Sequence, residues 1–165
     1  MPTNPVEFSL RHADELAASG KCEDARKVLV NLCSQFPHDA TITYRCAAAH
    51  DNLGFEQEAI LLYETAIRLG LSDADLPLAV LGLGSSYRCV NNLEKSAEIL
   101  EGGAQRFPEN AGIRTFLAMT YHEQGRHHLA MKLLLECLAQ TSLDPTINYC
   151  QRAIIDYAQQ YGKQS

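Results

Sequence analysis

The sequence predicts an all-α fold made of stacked helix–turn–helix units, because three features repeat along the chain. A small residue returns at separations of 34, 37 and 34 residues, at Ala13, Ala47, Gly84 and Ala118. Seven positions later comes a column of turn formers, Gly20, Gly54, Asn91 and Gly125. Apolar residues recur at steps of three and four on both sides of each turn, as in amphipathic helices. A period of about 34 residues with this pattern indicates a repeat array whose neighbouring units bury a shared core.

The columns divide the chain, taken as a single domain over residues 1–165, into four units and a final helix. The units are residues 6–39, 40–73, 77–110 and 111–144. Residues 74–76 are an insertion that either lengthens the next helix or loops out. In the fourth unit Ile113, Leu117 and Tyr121 mark the first helix face, and Ala130 and Leu134 mark the second.

The ends of the units carry capping residues. The residue that ends each unit can accept hydrogen bonds from free backbone N–H groups of the next helix, which predicts N-caps at Asp39, Asp73, Asn110 and Asp144. The turn column suits the left-handed residue that ends a helix, where asparagine is the best substitute for glycine.

A single capping helix is predicted over residues 145–162. Its apolar stripe comprises Ile147, Cys150, Ile154, Tyr157 and Tyr161. We expect this stripe to cover the otherwise bare face of the fourth unit, since terminal repeats need a polar outer side for solubility.

Composition restricts the class of protein. No apolar run approaches the ~18 residues of a membrane helix, and residues 1–10 lack the basic start and apolar stretch of a signal peptide. The net charge of −6, without a basic stripe, disfavours nucleic-acid binding. Six scattered cysteines are typical of reduced, buried thiols. We therefore expect a cytoplasmic protein without membrane or nucleic-acid partners.

The third unit identifies the repeat type. Its run Leu83-Gly84-Ser85-Ser86-Tyr87, with Leu100 and Pro108, resembles the tetratricopeptide repeat (TPR). The segment from Leu83 to Leu138, which includes Phe107-Pro108-Glu109-Asn110 and Phe116-Leu117-Ala118, also resembles the small standalone proteins of the group-5 tetratricopeptide family. The resemblance implies a right-handed superhelical solenoid of four TPR units plus a C-terminal capping helix. The tryptophan usual in the first helix is absent, and His12 and His50 replace apolar residues.

The resemblance also implies a function, because the first helices of such arrays line a concave groove. We expect a non-catalytic scaffold or adaptor that binds a protein or peptide, with Arg45 and Arg88 as charge anchors. The groove residues expected from the pattern are Tyr44, Arg45, Asp51, Asn52, Leu81, Ser85, Arg88, Phe116, Met119, His122 and Glu123. The alternative is a self-associating structural protein, a homodimer without a peptide ligand, held by exposed apolar repeat ends or by apolar residues of the final helix.

An enzyme is the third class, and no catalytic residues are predicted. Cys89 beside Arg88 is a thiol whose pKa the neighbouring cation could lower, but no base has a recognisable spacing to it. His122, His127 and His128 lie together at a turn without the further donors that a metal ion needs. We therefore predict no metal site and no cofactor.

Overall fold

The computed structural model describes residues 5–163, and every regular element in this range is a helix. The prediction of an all-α fold is therefore confirmed. The ten helices are α1 (Pro5–Ala18), α2 (Cys22–Gln35), α3 (Ala40–Asp51), α4 (Glu56–Leu69), α5 (Leu76–Cys89), α6 (Leu93–Arg106), α7 (Ala111–Glu123), α8 (His127–Thr141), α9 (Pro145–Tyr149) and α10 (Gln151–Tyr161). The chain also divides into two compact units that are larger than the predicted repeats. Below, the first unit is Met1–Val90 and the second unit is Asn91–Ser165.

The first unit contains α1 to α5, in which each helix packs on the next in sequence and α3 also meets α5. Its core includes Ala13, Leu29, Leu32, Ile42 and Cys46, which join the first three helices. Ala47 and Ala59 are fully buried. Their small side chains let α3 and α4 approach closely, as the repeating small column predicts.

The second unit contains α6 to α10, in which α7 packs between α6 and α8 and α10 packs on α8. Leu100 and Ile113 are buried without exposed surface. Ser96 of α6 and Thr120 of α7 share a fully buried hydrogen bond between their hydroxyls, 2.9 Å long. Polar side chains thus also join consecutive helices in this unit.

The predicted turn column is confirmed by the backbone. Gly20, Gly54 and Gly125 have φ between 77° and 79°, and Asn91 has φ of 60°. These are left-handed conformations that few other residues adopt.

Three of the four predicted N-caps are confirmed. Asp39 accepts from the backbone N–H of Ile42 at 2.9 Å, and Asn110 accepts from that of Ile113 at 3.0 Å. Asp144 accepts from Thr146 and Ile147.

The N-cap predicted at Asp73 is wrong, because the insertion moves the start of the following helix. Residues 73–75 form a turn in which Asp75 donates its backbone N–H to the Ser72 hydroxyl at 3.2 Å. Helix α5 begins at Leu76, and Asp75 occupies the N-cap position without a side-chain capping bond. The insertion therefore supplies a turn and one extra helical residue.

The single helix predicted over residues 145–162 is divided at Cys150 into α9 and α10. Two members of its predicted apolar stripe, Cys150 and Tyr157, are exposed. The buried residue of α10 is Ala158. Gln151 donates to the carbonyl of Ala139 at 2.7 Å, which attaches the start of α10 to the end of α8.

Candidate binding surfaces

The predicted groove residues fall into two sets, one in each unit. In the first unit they come from α3 and its C-cap and from α5: Tyr44, Arg45, Asp51, Asn52, Leu81, Ser85 and Arg88. In the second unit all four lie on α7: Phe116, Met119, His122 and Glu123.

The first set contributes to a cleft of about 420 Å³, here called the α1–α3 cleft. Ala13, Ala17, Leu29 and Ala48 supply an apolar lining. The complete lining is Ala13, Asp14, Ala17, Cys22, Ala25, Leu29, Tyr44, Arg45, Ala48, Ala49, Asn52 and Asp75. Small residues on α1, α2 and α3, among them Ala17, Ala25 and Ala48, leave room for the cleft between the larger side chains of Leu29, Tyr44 and Arg45.

The charges of the α1–α3 cleft are largely satisfied within the protein. The Arg45 guanidinium forms an ion pair with Asp14 and donates to the carbonyl of Leu10 at 3.4 Å. Burial, followed by the nearby Asp75 carboxylate, raises the pKa of Tyr44. Two carboxylates against one guanidinium make this cleft a weaker acceptor for a ligand carboxylate than the sequence suggests.

Asp51 organises a polar cluster where α3, α4 and α5 meet. Its carboxylate accepts hydrogen bonds from the Tyr63 hydroxyl at 3.1 Å and the Ser86 hydroxyl at 3.3 Å. Burial, and then the Asp51 charge, raise the pKa of Tyr63 above its ordinary value. This carboxylate therefore supports the packing of three helices.

Glu56 and Cys89 belong to the same cluster. Burial and the neighbouring carboxyl of Asp51 raise the pKa of Glu56, because two carboxylates this close cannot both be charged without cost. Desolvation and the Glu56 carboxyl also raise the pKa of Cys89 and outweigh the effect of Arg88. The lowered thiol pKa considered from the sequence is thus wrong in direction.

Three residues of the second set border a mainly apolar cleft of about 450 Å³ between α7 and α8, here called the α7–α8 cleft. Its lining is Ala118, Met119, His122, Glu123, His127, Ala130, Met131 and Leu134. The imidazole rings of His122 and His127 lie with their centroids 4.7 Å apart. Their Nδ1 atoms are 3.1 Å apart, so one ring donates a hydrogen bond to the other. Phe116 is half-buried and does not line this cleft.

Sequence reasoning missed residues in both clefts. Asp75 reaches the α1–α3 cleft from the insertion, and the periodic columns contain no information about an insertion. Met131 and Leu134 line the α7–α8 cleft from a second helix, whereas only first helices were considered. Their position in the fourth repeat was the available signal, since that repeat is followed by a single capping helix and not by a further full repeat.

Residues 5–163 contain neither a helix able to span a membrane nor a cluster of side chains able to hold a metal ion. No helix in this range combines the length and apolar character needed to cross a membrane. No group of three or more His, Cys, Asp and Glu side chains in the same range has an arrangement able to hold a metal ion.

Comparison with known proteins places this geometry in a family. No curated protein matches the sequence significantly. Among solved structures, MamA (residue 41 to the end) from Desulfovibrio magneticus RS-1 superposes with a TM-score of 0.73 at 13% identity, covering 95% of this chain and 90% of its own. YrrB, described as a TPR protein with an unusual peptide-binding site, gives a TM-score of 0.67 at 15% identity, covering 92% of this chain and 76% of its own.

These identities are too low to transfer more than the fold. The sequence model for the Tetratrico peptide repeat matches residues 40–161, which is most of the chain and includes α3 to α10. The protein belongs to the tetratricopeptide repeat family.

Proposed function

We propose that the protein is a non-catalytic scaffold that binds a protein or peptide segment, and that the α1–α3 cleft is its binding site. One observation carries the proposal. The cleft of about 420 Å³ contains three predicted groove residues, Tyr44, Arg45 and Asn52, beside an apolar lining. Its size falls within the ~300–1,000 Å³ typical of ligand pockets, which combine apolar walls with a few polar groups.

The chemistry of the cleft favours one kind of segment. Ala13, Ala17, Leu29 and Ala48 suit an apolar side chain, while the amide of Asn52 can hydrogen-bond to a peptide backbone. Because Arg45 is already paired with Asp14, a ligand carboxylate would have to displace that acid. We therefore propose a ligand with an apolar anchor residue and without a carboxylate at that point.

Family and composition support this class of function. Stacked helical repeats use extended surfaces to bind other proteins, and YrrB shows that the fold accommodates a peptide-binding site. All six cysteines are free thiols. Free thiols fit the reducing cytoplasm in which we place the scaffold.

The test is a selection of short random peptides displayed on phage against the full chain, followed by titration of the selected peptides. Ala17→Trp fills the cleft, whereas Ala18→Trp is the matched control, because Ala18 is its exposed neighbour and does not line the cleft. We expect Ala17→Trp to abolish binding and Ala18→Trp to retain it, with both variants folded by circular dichroism. Selected peptides that bind both variants equally, or a selection that yields no binder, would refute the proposal.

A further inference from the structure

One column of equivalent apolar residues is buried in the first three repeats and exposed in the fourth. Leu29, Tyr63 and Leu100 occupy equivalent positions in α2, α4 and α6 and are 5%, 3% and 0% exposed. Leu134 occupies the same position in α8 and is 42% exposed. Leu29, Tyr63 and Leu100 are buried because the following helix packs over each of them: α3 packs on α2, α5 on α4 and α7 on α6.

Helix α10 packs on α8 without covering Leu134. Gln151, at the start of α10, bonds to the carbonyl of Ala139, and Gly162 lies against the Lys132 side chain. At about 100° per residue, positions 132 and 139 share one side of α8, whereas 131, 134 and 138 share another. The second side remains exposed at Met131, Leu134 and Leu138, together with Met119 of α7.

Helix α1 carries a complementary exposed surface. Phe8 is 60% exposed, whereas its equivalents Ile42 and Ile113 in α3 and α7 are 2% and 0% exposed. His12 is exposed, although its equivalent Cys46 is buried against α2. Phe8 and His12 stack on each other with ring centroids 6.5 Å apart and form an aromatic surface on α1.

We propose that α1 of a second copy of this chain docks in the α7–α8 cleft, in the place that the first helix of a further repeat would take. Phe8 and His12 then cover Leu134 as Ile42 and Cys46 cover Leu29. The contact is heterologous, because a face of the first unit in one copy meets a different face of the second unit in the other. Such contacts join copies head to tail.

The polar residues of the α7–α8 cleft also suit α1 when residues are matched by their position in the repeat. In the first unit the Asp51 carboxylate accepts from the Ser86 hydroxyl of α5 at 3.3 Å, and the Glu56 carboxyl lies close to the same hydroxyl. Their equivalents in the second unit are His122 and His127, and the residue of α1 equivalent to Ser86 is Glu15. An acidic side chain on the incoming helix therefore meets two imidazoles, whose N–H groups can donate to a carboxylate.

The test uses two surface substitutions in the full chain, each of which disables one side of the contact. Phe8→Asp removes the docking surface of α1, and Leu134→Asp places a charge in the cleft. Because both side chains are exposed, both variants should fold. The matched control is Leu61→Asp, which changes an exposed leucine on α4 outside both surfaces.

Sedimentation velocity over a range of concentrations should show wild type and Leu61→Asp associating beyond the monomer. Each of the other two variants alone should associate about thirtyfold more weakly or not at all. An equimolar mixture of Phe8→Asp and Leu134→Asp should restore a dimer, because one intact α1 still meets one intact cleft, and this dimer cannot grow.

Three outcomes would overturn the proposal: a wild type that stays monomeric at all concentrations, association that survives in either variant alone, or a mixture that stays monomeric. Survival in Phe8→Asp alone would point to a symmetric contact between two clefts. The test is independent of the proposed peptide binding, because the α1–α3 cleft is unchanged in every variant.

Discussion

Gly82 of α5 lies directly against the ring of Tyr63, and Gly82→Ala tests how closely α4 and α5 are packed. A Cβ built at position 82 would lie 2.9 Å from Cε2 of Tyr63 and closer still to Cζ and the hydroxyl oxygen. The ring has little freedom to withdraw, because it is buried and its hydroxyl donates to Asp51 at 3.1 Å.

Two opposing contributions set the change in the free energy of unfolding that Gly82→Ala causes. Forcing an extra methyl into a close-packed site costs about 1–3 kcal/mol, and replacing a mid-helix glycine by alanine gains about 1 kcal/mol. The net expectation for Gly82→Ala is a loss of about 0–2 kcal/mol in the free energy of unfolding.

Gly102 of α6 is the matched control, because a Cβ there would have no atom within 4 Å. Gly102→Ala should therefore stabilise the protein by about 1 kcal/mol. The difference between the two variants removes the helix-propensity contribution and leaves a steric cost of about 1–3 kcal/mol. Urea unfolding of the full chain, followed by helical circular dichroism, measures both. If Gly82→Ala is as stable as Gly102→Ala, the close contact with Tyr63 does not exist as described.

Three further predictions concern pH, capping and a buried hydrogen bond. Burial and a neighbouring carboxyl raise the pKa of Glu56 above its ordinary value of 4.5. Its contribution to stability is therefore present below that value and is lost as pH rises through the native pKa. Glu56→Gln should flatten this decline in urea unfolding measured at increasing pH above 4.5, and an unchanged slope would contradict it. Asp39→Ala should cost about 1 kcal/mol, while Asp73→Ala should leave the melting temperature unchanged, because Asp73 caps no helix; equal effects would contradict the assignment. Thr120→Val removes the partner that Ser96 bonds at 2.9 Å and should cost about 1–3 kcal/mol by calorimetry, and an unaltered melting temperature would count against that bond.

The sequence predicted most of the helices and turns, although not the division of the final helix, because both depend on local chemistry. Periodic apolar residues, left-handed Gly20 and Asn91, and the Asp39 cap act within one or two helical turns. The failure at Asp73 has a local cause as well, since three inserted residues displaced the helix start to Leu76. The repeat spacing predicts a cap only where the register is unbroken, and the insertion at residues 74–76 breaks it.

The candidate site was less predictable because its chemistry depends on side chains from different helices. Asp14 pairs with Arg45 across 31 residues of sequence, so the charge of Arg45 could not be judged from its neighbours. Asp51 was assigned to the groove, and its bonds to Tyr63 and Ser86 appear only when three helices are packed together. The binding role of the groove residues remains a prediction.

The exposed side of α8 has a consequence for how such a chain can evolve. Residues 142–144 separate α8 from α9 without regular structure, and α10 leaves the Leu134 column uncovered. A duplicated pair of helices inserted at this linker would meet an apolar surface already suited to a first helix. It would bury Leu134 and expose its own equivalent residue in turn. Gene duplication could therefore lengthen the array one pair of helices at a time without redesigning the existing core.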